Sequence, residues 1–134
     1  MWIGTFHSIC VKILRREIEK IGYKKNFTIY DTSDQKTLLK ECIKSLNIND
    51  KEITEQEIMS KIGKAKDNMQ SPSSYMREHQ SNFREKKIAD VYEMYQKRLK
   101  ENNALDFDDL ISKTVELFKT NKETLEFYQR KFQY

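Results

Sequence analysis

The sequence predicts an all-α fold, a compact bundle of six or seven helices with a short extended segment near residues 26–30. Its 134 residues contain only three glycines and one proline, which leaves little room for a turn-rich β architecture. Charged residues make up 34% and hydrophobic residues 37% of the chain, a balance that suits amphipathic helices. Apolar residues also recur three and four positions apart along most of the chain. A single helical domain is therefore expected.

The first predicted helix covers residues 5–21. Its apolar stripe stops before Gly22, a residue type that commonly ends helices. Residues 26–30, NFTIY, are expected to form the short extended piece that follows. The stripe consists of Phe6, Ile9, Cys10, Ile13, Leu14, Ile18 and Ile21.

Capping signals predict where the later helices begin. Short polar residues at a helix start satisfy free backbone N–H groups, and a carboxylate or amide three residues later completes a capping box. The longest helix is expected at about residues 83–100, where apolar residues again recur at helical spacing. The other starts are marked by Thr32 with Gln35, Thr54 with Glu57, Ser71 before Pro72, Asp106, and Asn121.

The positive charge of the chain is concentrated at its N-terminal end. The net charge is +4, and residues 1–30 contain six basic and two acidic side chains. The remaining residues carry 19 of each sign and cancel. This asymmetry permits a local contact with a polyanion.

Composition also indicates a compartment. No apolar run approaches the roughly 20 residues that span a bilayer, and the first residues lack the features of a signal peptide. Cys10 and Cys42 lie far apart without a second ligand cluster, so two buried reduced thiols are expected. These observations favour a cytoplasmic protein that does not contact a membrane.

The residues alone predict neither catalysis nor a metal site. The sequence contains no GxxxxGK[ST] phosphate loop. His7 and Ser8 are sequence neighbours and point about 100° apart on a helix, so hydrolase chemistry from this pair is disfavoured. Asp106, Asp108 and Asp109 have the residue types for a cation site, but a helix cap with first-turn carboxylates is the favoured interpretation.

Two basic segments are candidate contacts for nucleic acid. Thr5 and Ser8 lie at a predicted helix start, where free N–H groups and hydroxyls suit a phosphate, and Lys12 follows on the same side. The alternative is a capped helix with a solvated basic face. Lys64 and Lys66, together with Lys61, form a second cluster, for which a solvated face is favoured on the residues alone.

Taken together, the sequence resembles the UvrD/PcrA/Rep family of superfamily 1 DNA helicases. The resemblance depends on six blocks in the same order and covers essentially the whole chain. Short motifs such as GTFHS or LDFDDL alone are weak. The blocks are Gly4–Arg16 (GTFHSICVKILRR), Asn26–Gln35 (NFTIYDTSDQ), Lys64–Asn68 (KAKDN), Val91–Leu99 (VYEMYQKRL), Asn103–Leu110 (NALDFDDL) and Phe127–Tyr134 (FYQRKFQY).

The resemblance implies a domain organisation. Residues 1–21 would be a remnant of the first RecA-like motor domain, residues 22–119 a helical insertion, and residues 120–134 a helix leading back to the motor. The family's phosphate loop precedes this region and its magnesium-binding DExx motif follows it. We therefore expect a piece of a longer ATP- and magnesium-dependent protein, with no cofactor bound by the piece itself.

The resemblance also implies roles for individual residues. Thr5, His7 and Ser8 would lie along the single-stranded DNA track, with Lys66, and more weakly Lys64, on the DNA backbone. The LDFDDL block would tie the insertion to the motor, with Leu105, Phe107 and Leu110 buried and Asp106 as a cap. Expected partners are single-stranded DNA, its junction with duplex, and the rest of the motor. A non-native dimer through Trp2, Ile3 and Phe6 is a further expectation.

The implied function is that of an ATP-dependent 3′–5′ DNA helicase or translocase, to which this chain contributes DNA contacts. The main alternative is a helical protein-interaction module without a nucleic-acid role. A nuclease-linked relative of the AddA/RecB type shares these motifs, but the compact insertion argues against it. A small hydrolase using His7 and Ser8 is the third alternative.

Overall fold

The computed structural model describes residues 5–49 and 51–132. Within those ranges, seven α-helices and two three-residue strands confirm the predicted helical fold. Trp2, Ile3 and Gly4, which carry part of the sequence predictions, lie outside the described residues. The elements are α1 (Phe6–Glu17), β1 (Thr28–Tyr30), α2 (Thr32–Ser45), α3 (Glu55–Asp67), α4 (Pro72–Glu78), α5 (Phe83–Glu101), β2 (Ala104–Asp106), α6 (Phe107–Thr120) and α7 (Lys122–Lys131).

The first helix ends as the sequence predicts. After α1 the chain tightens into a 3₁₀ turn, Ile18–Ile21, and Gly22 follows with φ of 91°. This left-handed conformation is costly for a residue with a Cβ atom, so glycine is required here. The predicted helix at 5–21 is thus confirmed, with its last turn wound more tightly.

A two-stranded parallel sheet joins distant parts of the chain. β1 pairs with β2 in register, with Thr28 opposite Ala104 and Tyr30 opposite Asp106. The extended segment near residues 26–30 was predicted, but β2 was not. Only five residues separate α5 from α6, and the three that form β2 are extended because they pair with β1, which precedes the four middle helices in the sequence.

Two hydrophobic clusters form the core. The middle cluster lies among α2, α3, α4 and α5, and the terminal cluster lies among α1, β2, α6 and α7. Fully buried members of the middle cluster include Leu39, Cys42, Ile58, Ile88, Val91 and Leu99. Those of the terminal cluster include Leu14, Ile18, Leu105 and Leu117, with Cys10 and Tyr128 almost as deep.

The clusters bear on how the chain divides. α6 contributes Leu110 and Leu117 to the terminal cluster, where it packs on α1 and α7. The sequence-based division instead grouped residues 22–119 as one insertion. That division stays a prediction, and the packing joins α6 to the helices at the two ends of the chain.

Helix caps were predicted with mixed success. Thr54 and Ser71 accept hydrogen bonds from the backbone N–H groups of Glu57 and Ser74, as expected for N-caps. Asn121 occupies the N-cap position of α7, but its side-chain amide donates to the Leu117 carbonyl instead. Asp106 also accepts a capping hydrogen bond at the start of α6. Four of the five expected capping residues therefore occupy N-cap positions, and all of these except Asn121 accept a capping hydrogen bond.

The predicted box at Thr32 and Gln35 is wrong by one residue. Asp31 caps α2, its carboxylate accepting from the Asp34 N–H at 2.9 Å while the Asp34 carboxylate accepts from the Asp31 N–H at 3.1 Å. Gln35 is instead buried against the core. The cap lies one residue earlier than predicted because Asp31, next to Thr32, offers the stronger hydrogen-bond acceptor.

Both cysteines are free and buried, as predicted. Burial raises the pKa of each thiol above its ordinary value. Along the described residues, no helix combines the length and apolar character needed to cross a bilayer.

The α2 cap gives a stability test. Replacing Asp31 with alanine removes the carboxylate that accepts from the Asp34 N–H, while the Asp31 backbone N–H can still donate to Asp34. We expect the free energy of unfolding to fall by about 1 kcal/mol. Thr32→Ala is the matched control, because this neighbouring side chain is exposed at the first position of α2. Urea unfolding followed by circular dichroism measures both. An equal loss in the two variants would contradict the assignment of the cap to Asp31.

Candidate nucleic-acid interface

The start of α1 is an exposed, capped helix terminus. The Thr5 hydroxyl accepts a hydrogen bond from the Ser8 N–H at 3.1 Å and lies 2.9 Å from the Ser8 hydroxyl. The first turn of α1 contains no acidic residue to offset the positive end of its dipole. The geometry therefore has the capping arrangement that the sequence left as an alternative, and it also leaves two hydroxyls at a positively polarised surface.

The first turn of α6 lies beside this surface. The rings of His7 and Phe107 meet edge to face, with centroids 6.5 Å apart. Both side chains are exposed, Phe107 to 46%. The expectation that Phe107 is buried is thus wrong, whereas Leu105 and Leu110 are buried as expected.

The exposure of Phe107 follows from its position on the helix. Asp106, the N-cap, turns its carboxylate into the protein, and consecutive helical residues point about 100° apart. Phe107 consequently emerges on the side that faces His7. Sequence reasoning counted it as part of an apolar stripe and missed it as a surface aromatic.

The basic residues of α1 have different environments. The Arg15 guanidinium donates to the carbonyls of Lys25 and Phe27 at 2.8 and 2.6 Å, and it stacks 3.8 Å over the Phe27 ring. Arg16 lies over the rings of Phe127 and Tyr128, at 5.7 and 5.9 Å. Both arginines therefore hold the terminal cluster together, while Lys12 is exposed on the surface that carries Thr5 and Ser8.

Lys66 is buried, which corrects its expected place on the surface. Its side chain is only 4% exposed, and its ammonium lies 2.7 Å from a carboxylate oxygen of Asp106 and 3.0 Å from one of Asp109. The Tyr95 hydroxyl donates to the same Asp106 oxygen at 2.7 Å. A buried charge requires charged or hydrogen-bonding partners, and the two aspartates supply them to this inward-facing lysine. Lys64, two residues earlier on α3, is exposed.

The two aspartates also cap α6, as the sequence predicted for Asp106. Asp106 accepts from the backbone N–H of Asp109 at 2.9 Å, and Asp109 accepts from that of Asp106 at 3.2 Å. The same carboxylates thus close the helix end and bind Lys66. Among the described residues, no group of three or more side chains has an arrangement that could hold a metal ion.

The charged groups of this network shift one another's pKa values. Burial opposes the charged form of Lys66, but Asp109 and Asp106 outweigh it and raise the pKa of the ammonium. Burial likewise opposes ionisation of Asp106, yet the charge and hydrogen bonds of Lys66 lower the pKa of this carboxyl. For Asp109 burial dominates and the pKa is raised.

A surface groove runs between α1, α6 and α7. It has a volume of about 370 Å³ and an apolar lining that includes Ile9, Phe118 and Leu125. Phe6 and Phe132, at two of its edges, are exposed. The groove therefore presents contiguous apolar side chains on the terminal cluster.

Comparison with known proteins decides the family. Residues 1–134, the whole chain, match the UvrD/REP helicase N-terminal domain. The chain belongs to the UvrD/REP helicase family. The resemblance recognised in the sequence is thereby confirmed.

Several relatives of this UvrD/REP chain share the name ATP-dependent DNA helicase PcrA. The chain is 45% identical over 134 residues to the PcrA of Staphylococcus epidermidis and 45% identical to that of Bacillus subtilis. Identity to the Staphylococcus aureus PcrA is 42% over the same length. In each case the alignment covers all of this chain and 18% of the relative.

The residues predicted for DNA in this UvrD/REP chain divide into two groups. Thr5, His7 and Ser8 share one exposed surface with Phe107, and Lys12 follows on α1. Lys64 and Lys66 belong to α3, where only Lys64 faces solvent. A signal for the burial of Lys66 was present in the sequence, because it follows Ile58 and Ile62 at helical spacing on the apolar side of α3.

The ion network predicts how stability depends on alkaline pH. Since folded Lys66 has a raised pKa, its contribution to the free energy of unfolding is complete below the ordinary value of 10.5 and is lost as the pH rises through the folded pKa. We expect urea unfolding to show wild-type stability falling more steeply above pH 10.5 than that of Lys66→Met/Asp109→Asn.

The double variant is the control because it keeps the net charge of the buried network and all tyrosines. Tyr128, whose pKa is raised to about 12 by burial and by Glu17 rather than by the substituted residues, contributes equally to both proteins. Parallel pH curves would contradict the role given to Lys66.

Proposed function

We propose that this chain is the part of an ATP-dependent 3′–5′ DNA helicase that contacts the DNA backbone at single strands and at their junction with duplex. The observation that carries the proposal is the shared surface of the first turns of α1 and α6. It combines Thr5, His7, Ser8 and Phe107, and we call it the strand surface.

The polar half of the strand surface suits a phosphate. A helix N-terminus with no acidic residue in its own first turn attracts an anion, and the hydroxyls of Thr5 and Ser8 supply hydrogen bonds. Lys12, two turns along the same helix, adds a positive charge. Phosphate contacts of this kind position a nucleic acid without reading its sequence.

The aromatic half suits an unstacked base. Proteins that bind single strands combine backbone contacts with aromatic side chains on which bases stack, and this mode tolerates any sequence. Phe107 is exposed beside His7 and adjoins the phosphate-binding half through that residue. A nucleotide of single-stranded DNA thus finds both of the groups it needs on one surface.

Lys64 is a secondary contact in this proposal. It is exposed in the last turn of α3, where it adds a positive charge away from the strand surface. Charges of this kind strengthen binding to a duplex backbone in a salt-dependent way.

The proposed protein partner is the remainder of a helicase motor. The relatives are much longer than this chain, which covers 18% of them, and the apolar groove beside Phe6 and Phe132 is suited to packing on further structure. When the chain is alone, the same groove favours self-association. ATP and magnesium would be bound outside these 134 residues, and a cytoplasmic location fits such a protein.

A helical protein-interaction module is the alternative function. The apolar groove between α1, α6 and α7 is the observation that favours it. That alternative requires no affinity for DNA at any salt concentration, so the binding experiment below separates the two functions.

We expect the purified chain to bind single-stranded DNA weakly, with an affinity that falls as salt rises. Phe107→Ala removes a stacking surface and should lower the affinity at least about fivefold. Phe83→Ala is the matched control, because Phe83 is 76% exposed but lies at the start of α5. Fluorescence anisotropy with a labelled oligonucleotide measures both. Equal losses for the two phenylalanines, or no binding by the wild type at low salt, would contradict the proposal.

A second expectation concerns ATP. The 134 residues contain no GxxxxGK[ST] loop to hold a triphosphate. We therefore expect the isolated chain to show no magnesium-dependent release of phosphate from ATP, with or without DNA. A sensitive phosphate-release assay measures this, and turnover that survives further purification would overturn the expectation.

A further inference from the structure

The Lys66 network connects the two hydrophobic clusters at one point. Lys66 comes from α3 and Tyr95 from α5, both in the middle cluster, while Asp106 and Asp109 begin α6 in the terminal cluster. Gln96 of α5 adds a hydrogen bond to Asp109 at 3.3 Å. Five side chains from three helices and one strand end therefore meet at the first turn of α6.

This convergence is tight. A Cβ atom on Gly63, one helical turn before Lys66, would lie 3.3 Å from a carboxylate oxygen of Asp108. The Asp108 side chain at the start of α6 consequently lies close to the backbone of α3 beside the ion network. Any change in the length or charge of the Lys66 side chain is transmitted to the start of α6 through its ion pairs, because closely packed interiors have little free space to absorb it.

Phe107 sits between the tied residues. Asp106 precedes it and Asp109 follows two positions later, so the backbone of Phe107 is fixed on both sides by groups that bind Lys66. Its ring then meets His7 at the strand surface. The orientation of the exposed ring thus depends on a buried ammonium that never reaches the surface.

We propose that Lys66 is a positioning residue for single-stranded DNA: from within the middle cluster it fixes the first turn of α6 and holds Phe107 beside His7, without contacting DNA itself. This inference rests on the proposed role of the strand surface. It assigns the middle helices a function in setting the geometry of that surface, in addition to any contact they make themselves.

The test uses a variant that removes the ion pairs of Lys66 with the two aspartates but keeps the N-cap of α6. Lys66→Met/Asp109→Asn conserves the net charge of the network and side-chain size, and an asparagine still accepts from the Asp106 N–H. NMR resonances of the His7 ring report the Phe107 contact without DNA, because a nearby aromatic ring shifts them. We expect these resonances to move and the affinity for a single-stranded oligonucleotide to fall about fivefold, the loss expected for one stacked base.

A double-mutant cycle identifies the route. If Lys66 acts through Phe107, the same double substitution placed in a Phe107→Ala background should change the affinity by less than about twofold. Tyr75→Phe is the control, since it also removes a hydroxyl from the middle cluster, but one that donates to Glu85 of α5 and not to the start of α6. It should lower stability while leaving His7 resonances and DNA affinity unchanged.

Other outcomes overturn the inference. An equal loss of affinity with and without Phe107, or a loss with unmoved His7 resonances, would indicate that Lys66 contacts DNA directly. If the wild type binds no DNA, the proposed function is rejected. The positioning role is then rejected as well if the double variant leaves the His7 resonances where they are in the wild type, and it stands if they move. If the double variant does not fold, Tyr95→Phe removes one hydrogen bond to Asp106 and should shift His7 in the same direction by less.

Discussion

The salt bridge of Lys66 with Asp106 and Asp109 is the interaction on which the arrangement of this chain depends. It closes the end of β2, caps α6 and joins α3 and α5 to both. Burying three ionisable groups is not by itself a source of stability, because their desolvation offsets much of their attraction. Removing one partner, however, leaves an unpaired charge in the interior at a cost of about 3–5 kcal/mol. The network therefore specifies one relative placement of the two clusters more than it strengthens either of them.

The strand surface shows how such a constraint brings ordinary parts of two helices together. The start of α1 offers hydroxyls and N–H groups by virtue of a local cap, which requires nothing beyond Thr5 and Ser8. The aromatic side chain comes from α6, far along the chain, and meets His7 because the two helices pack in the terminal cluster. Rigid helices thus determine the spacing between these hydroxyls and the Phe107 ring, which flexible loops would leave variable.

Local features of this fold were predictable from the sequence, and long-range ones were not. The helix starts at Thr54, Ser71 and Asp106 depend on residues within one turn, so sequence patterns identified them. β2 depends on a partner beyond four helices, and no local pattern marks it. Of the candidate site, the Thr5 to Ser8 segment was found from its helix-start chemistry and the family blocks. Lys66 also follows the apolar spacing of Ile58 and Ile62 on α3, but its ion pair with Asp106 and the exposure of Phe107 depend on tertiary packing, which no local pattern marks.

The parallel pairing of β1 and β2 also governs how the domain tolerates change in length. Adjacent strands lie about 4.8 Å apart, so the chain leaves the terminal cluster and re-enters it at neighbouring points, with Thr28 beside Ala104. The four helices between them leave from the end of one strand and return to the start of the other. Because the strands run parallel, a chain without these helices would still need a crossover of about a dozen residues to join them. Such an excision would also remove Lys66 and leave the carboxylates of Asp106 and Asp109 without their counter-ion. A minimal version of the domain therefore needs neutral residues at positions 106 and 109 as well as a crossover of that length.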